Sequence, residues 1–114
     1  MVTPARTTEK IGDGMVLSRR RHSGGRVSLS LYLEEDPNHK VYLKSDKGRV
    51  VLCIFDNRDR ALLSSEGISL RTGVPLHLVR HYLCEAERFF NCGSSNLEFV
   101  KQGFKPKVYG LVSR

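Results

Sequence analysis

The stretch 76–90 constrains the fold of this chain more than any other part of the sequence. Its apolar side chains recur at intervals of four, three and four residues: Val79, Leu83, Ala86 and Phe90. This spacing brings them to one face of an α-helix of about four turns. Pro75 comes directly before the stretch, where the first turn of a helix tolerates proline, and Asn91 and Gly93 end the pattern. The sequence therefore predicts an amphipathic helix that buries one face in a core.

A shorter helix and a tight turn are predicted before this long helix. Ser64 precedes a segment that holds Ile68 and Leu70, and Thr72-Gly73 ends the segment. Glycine supplies the left-handed backbone conformation that ends many helices, or else a turn. The pattern is that of two helices joined by a short turn.

The apolar run 50–55 has two interpretations. β-Branched residues dominate it, which favours a strand. Ser45 or Asp46 ahead of it would equally suit the cap of a helix. Periodicity cannot separate the two for so short a run.

Two further segments have the pattern of β-hairpins. Val27, Leu29 and Leu31 alternate with polar residues, and a second short strand follows at 41–43, so we expect a hairpin over residues 26–44. The segment 97–112 alternates in the same way around a turn at Gln102-Gly103.

Residues 1–25 have few apolar side chains, several glycines and the basic cluster Arg19, Arg20 and Arg21. Too little apolar surface is present to offset the entropy of ordering, so this stretch is predicted to be a flexible basic arm. The cluster would contact a phosphate backbone or an acidic protein, or stay solvated without a role.

The segment Ile68-Ser69-Leu70-Arg71-Thr72-Gly73-Val74-Pro75, with Val79 and Leu83 after it, resembles a helix-turn-helix. The segment Lys105-Pro106-Lys107-Val108-Tyr109-Gly110-Leu111 resembles the returning strand of a wing. Together they resemble the winged helix superfamily over residues 45–114. The resemblance implies an α+β fold of three helices and a C-terminal β-hairpin wing, preceded here by the N-terminal hairpin and the arm. It also implies a first helix, for which 49–57 is the available segment.

The composition restricts the partners. The chain has a formal charge of +7 over 114 residues, which favours nucleic acid first and a membrane surface second. No apolar run approaches the length of a membrane span, and no apolar leader is present, so we expect a cytoplasmic or nucleoid-associated protein without a membrane partner. Three cysteines do not form a disulfide framework.

The resemblance implies a sequence-specific or architectural protein that binds double-stranded DNA, alone or as a homodimer, and acts as a small transcriptional regulator. The third helix would enter the major groove and read bases through Arg80, with His77 and His81 beside it. Phosphate contacts would come from the following residues: Arg71, Thr72, Lys101, Lys105, Lys107, Arg19, Arg20 and Arg21.

Other classes of function have weaker signals. No catalytic constellation is present, so an enzyme is not expected, and no cofactor is implied. His77, His81 and Cys84 share a helical face and Cys92 follows, but no metal site is predicted because a complete ligand pattern is missing. The alternative function is a winged helix protein-interaction module in a larger replication, transcription or structural complex. It would dock through Leu76 and Leu78, at positions where DNA readers are often polar.

Overall fold

A computed structural model describes residues 6–91 and 96–114 of the chain. Over these residues the fold is α+β, with three helices and two antiparallel sheets. The elements in chain order are β1 (Arg6–Gly12), β2 (Met15–Arg21), β3 (Val27–Leu33), β4 (Asp36–Tyr42), α1 (Asp46–Asp56), β5 (Leu63–Ser64), α2 (Ser65–Thr72), α3 (Leu76–Asn91), β6 (Leu97–Gln102) and β7 (Val108–Ser113).

The first four strands form one sheet in the order β1-β2-β3-β4. Leu17 pairs with Leu31, and Leu31 pairs with Val41, so apolar side chains line up across three strands on one face. β3 and β4 pair antiparallel within the segment 26–44, where a hairpin was expected, but they are half of a larger sheet.

The prediction of a flexible arm over residues 1–25 is wrong for 6–21, and residues 1–5 lie outside the described residues. Residues 6–21 form β1 and β2, and Met15 and Val16 are buried. A strand needs apolar side chains only at the alternate positions that face the core. The low apolar content of residues 1–25 as a whole therefore does not exclude ordered strands. The cluster Arg19, Arg20 and Arg21 is therefore held at the end of a strand.

The run 50–55 is helical, as the resemblance implied, and lies in α1. The Ser45 side chain caps this helix by accepting a hydrogen bond from the Gly48 N–H at 3.0 Å. Val50, Ile54 and their neighbours on the same face are buried. Tertiary burial and the cap outweigh the strand propensity of the individual residues.

The two helices that were predicted on either side of a short turn are present as α2 and α3. Gly73 ends α2 in the left-handed conformation at φ 75°. The Ser69 hydroxyl then donates to the Val74 carbonyl oxygen at 2.6 Å, which fixes the turn. The inward face of α3 is buried at the positions that the periodicity indicated: Val79, Leu83, Ala86 and Phe90.

The second sheet has the order β5-β7-β6. β6 and β7 form the C-terminal hairpin that was predicted, although their loop spans 103–107 rather than a tight turn at Gln102-Gly103. The backbone N–H and the hydroxyl of Ser113 both donate to the Asp59 carboxylate, which ties β7 to the segment after α1. These hydrogen bonds lower the pKa of Asp59, because they favour its charged form.

One apolar cluster joins the two sheets through the helices. It includes Met15 and Leu31 from the first sheet, Phe55 and Phe90 from α1 and α3, and Leu111 from β7. The helices within 6–91 and 96–114 lack the length and apolar character that a bilayer crossing requires.

Candidate nucleic-acid interface

A cleft opens between α3 and the C-terminal hairpin. We call it the α3–wing cleft, because the sequence of this hairpin resembles a wing. Its charged lining residues are Arg80, Glu87, Lys101 and Lys107, and the exposed Cys84 lies beside them. Apolar and aromatic side chains complete the lining: Leu83, Phe99 and Tyr109. The cleft has a volume of about 130 Å³, so it is a shallow groove between two elements rather than a cavity for a small molecule.

The helical repeat fixes which side chains of α3 are accessible. Because Val79 and Leu83 point into the core, the polar side chains singled out on this helix are exposed: His77, Arg80, His81 and Cys84. Arg88 and Asn91, further along α3, are exposed as well. Arg80 is 62 % exposed, and its guanidinium can reach a ligand outside the protein.

Two cations of this cleft have acidic partners. Arg80 lies 3.5 Å from Glu66 of α2, and Lys101 lies 3.3 Å from Glu87 of α3. Ion pairs between exposed side chains contribute about 0–1 kcal/mol. A phosphate group could therefore displace either carboxylate at small cost.

The loop 103–107 extends beyond the cleft and presents an aromatic side chain. Phe104 is 83 % exposed, and the Lys105 ammonium lies 5.9 Å from the centre of its ring. Lys105 itself does not line the cleft, unlike Lys101 and Lys107. Phe104 was not among the predicted site residues, although an aromatic side chain among lysines is a recognisable signal for contact with nucleic acid.

Arg71 and Thr72 lie elsewhere. They line a second cleft, which α1 forms with the end of α2 and which does not include Arg80. The Thr72 hydroxyl is already engaged in the fold, because it donates to the Ile68 carbonyl oxygen at 2.8 Å and accepts from the Val74 N–H at 3.2 Å. Its hydrogen bonds serve the turn between α2 and α3.

The cluster Arg19, Arg20 and Arg21 forms a third basic region at one end of the first sheet. Arg6 pairs with Arg20 across β1 and β2, and Arg26 follows in the turn that leads to β3. We call these five arginines the basic end. None of them makes an ion pair with a described residue. The acidic residues Glu34, Glu35 and Asp36 lie at the opposite end of the sheet, where Lys10 pairs with Glu34 at 2.7 Å.

The two leucines expected to dock a protein partner are not the most exposed ones. Leu78 is half-buried and packs against the core, and Leu76 is also half-buried. Leu70 of α2 is 88 % exposed instead. Leu70 could not be distinguished from the core residues of α2 by sequence, because the apolar pattern of so short a helix is weak.

Within 6–91 and 96–114, no cluster of three or more histidine, cysteine or acidic side chains is arranged to bind a metal ion. Cys92 lies outside these ranges.

Comparison of the chain with protein-family models, with curated proteins and with solved structures gave no match.

Proposed function

We propose that this protein is a winged helix protein that binds double-stranded DNA and acts as a small transcriptional regulator in the cytoplasm or nucleoid. The observation that carries the proposal is the α3–wing cleft. There the exposed Arg80 of α3 shares one groove with Lys101 and Lys107 of the C-terminal hairpin.

The order of the elements supports this proposal. From residue 46 onward it is α1, β5, α2, α3, β6, β7, with the three strands in one antiparallel sheet. A helix–turn–helix followed by a β-hairpin resembles the winged helix layout, in which the second helix of the motif enters the major groove.

Each basic region has a distinct role under the proposal. Arg80 makes a bidentate contact to a guanine edge, since its planar guanidinium matches the two acceptors there. Lys101, Lys105 and Lys107 contact phosphates of the adjacent backbone. The basic end adds further phosphate contacts through Arg19, Arg20 and Arg21, which are exposed and unpaired within the described chain. All but the Arg80 contact are independent of sequence.

Alanine substitution of two arginines on α3 tests the role of Arg80. Arg88 is a matched control, because it is 80 % exposed and lies 3.7 Å from a carboxylate of Glu85, as Arg80 lies 3.5 Å from Glu66. On a duplex obtained by in vitro selection, Arg80→Ala should weaken binding by about 1–3 kcal/mol and relax discrimination at one base pair. Arg88→Ala should leave affinity and discrimination unchanged. Equal effects of the two variants in fluorescence anisotropy would contradict the assignment of Arg80.

A second candidate function is a protein-interaction module, and the exposure of Leu70 favours it. An exposed leucine contributes most when an interface removes it from water. Leu70→Ala should leave DNA affinity unchanged under the first proposal. If Leu70→Ala abolishes the cellular function while Arg80→Ala does not, the docking function replaces DNA binding.

A further inference from the structure

The cleft between α1 and the end of α2 has the features of a ligand site, and it is separate from the α3–wing cleft. Its volume is about 410 Å³, which is within the range of small-molecule sites. Three arginines line it, and we call it the arginine cleft: Arg49, Arg60 and Arg71. Leu52 and Cys53, both half-buried, provide apolar surface between them.

The guanidinium groups of this cleft are largely without partners inside the described chain. Arg60 and Arg71 make no ion pair there, and Arg49 reaches only Asp46 of its own helix, at 3.8 Å. The neutral polar side chains that line the cleft already make hydrogen bonds within the fold. The Thr72 hydroxyl serves the α2–α3 turn, and the Asn57 side chain donates to the Ala61 carbonyl oxygen at 2.7 Å. The donors left for a ligand are therefore the arginines.

Helix dipoles do not account for this gathering of charge. Arg71 lies in the last turn of α2, where a cation is favourable. Arg49, however, lies near the start of α1, which is the positive end of that helix, and Arg60 lies in the segment after α1. Binding of an anionic ligand would explain why all three arginines lie in this cleft.

We propose that the arginine cleft binds a small phosphate monoester with an apolar or planar body. The carboxylate of Asp56 also lines the cleft, so the four charged groups sum to a net charge of two. A phosphate monoester carries about −1.5 to −2 at neutral pH, which matches that charge. Guanidinium forks bind phosphate oxygens bidentately, and Leu52 and Cys53 contact the organic part.

Alkylation of the Cys53 thiol can report whether a ligand is bound in the arginine cleft. Burial raises the pKa of its thiol, and the nearby Arg71 partly opposes that shift. A ligand over Cys53 would shield it from N-ethylmaleimide, whereas Cys84 lies on α3 in the α3–wing cleft and serves as an internal control. Peptide mass spectrometry follows the two alkylation rates separately.

Adenosine monophosphate is the probe, with adenosine and inorganic phosphate as partial probes. At about four times Kd, adenosine monophosphate should slow alkylation of Cys53 about fivefold and leave Cys84 unchanged, because only the unliganded fraction reacts. Adenosine should give no protection. Inorganic phosphate should give weaker protection, since it lacks the organic part.

Arg60→Gln and Arg71→Gln should each raise the Kd for adenosine monophosphate, measured by calorimetry, about tenfold through the loss of a charge-assisted hydrogen bond. Arg88→Gln is the control and should not change it. Alkylation is compared with and without probe in each variant, because Arg71→Gln itself alters the Cys53 thiol.

No protection of Cys53 in the folded protein at a millimolar concentration of adenosine monophosphate would overturn the proposal. Protection of Cys53 by duplex DNA but not by the nucleotide would also overturn it, and would assign the cleft to the DNA interface.

Discussion

Gly48→Ala is expected to destabilise the protein by at least about 3 kcal/mol, although alanine is the better helix former. A Cβ atom on Gly48 would lie 1.9 Å from the Tyr42 carbonyl oxygen and 2.6 Å from the Leu43 Cα. Both are backbone atoms, one in the last residue of β4 and one in the residue directly after it, so neither can move aside as a side chain would. The start of α1 would have to separate from the first sheet.

Gly67→Ala is the matched control for this prediction, since Gly67 lies in α2 and also at the third position after a serine cap. A Cβ atom there would meet only the Ser64 hydroxyl oxygen, at 3.4 Å, which is ordinary contact. The substitution should be neutral or stabilise by up to about 1 kcal/mol. Urea unfolding followed by circular dichroism measures both. Equal free energies of unfolding for the two variants would refute the close approach at Gly48.

Arg58→Ala is expected to lower the free energy of unfolding by about 2–3 kcal/mol, because this side chain connects the β1–β2 hairpin to α1. Arg58 Nε lies 2.5 Å from Asp13 Oδ2, and Arg58 Nη1 donates to the Phe55 carbonyl oxygen at 3.0 Å. The guanidinium also lies 4.1 Å from the centre of the Phe55 ring. Its loss would leave the Asp13 carboxylate, which is itself only partly exposed, without this partner.

Arg49→Ala is the control, since Arg49 is 53 % exposed and its ion pair with Asp46 is long. It should change stability by less than about 0.5 kcal/mol. Hydrogen exchange locates the effect of Arg58→Ala, which should be largest at the amides of β1 and β2. A uniform change over the whole chain, or no change in these strands, would show that Arg58 does not hold the hairpin.

Structural elements whose sequence pattern repeats over several turns or strands could be predicted from the sequence. The spacing of Val79, Leu83 and Ala86 predicted α3 and its buried face, and the chemistry of Gly73 predicted the end of α2. The same helical spacing implied that Arg80 would be exposed. These features depend on local periodicity and backbone conformation, which the sequence carries directly.

Features that depend on distant contacts could not be predicted in this way. The strands at 6–21 are ordered by pairing with β3 and by Arg58, which is 45 residues from its partner Asp13. β5 is only two residues long and exists because Leu63 and Ser64 pair with β7. The separation of Arg71 from Arg80 likewise follows from how α2 packs against both α1 and α3. Sequence spacing alone suggested one continuous interface.

The most direct test of DNA binding is the salt dependence of the affinity for random duplex DNA. Under the proposal, about six phosphates are contacted by Lys101, Lys105 and Lys107 together with the three arginines at 19–21. The logarithm of the association constant should therefore fall linearly with the logarithm of the salt concentration, with a slope of about −5. Replacing Arg19, Arg20 and Arg21 by glutamine should reduce the magnitude of that slope by about three. An affinity that does not depend on salt, or no binding at low salt, would contradict the proposed function.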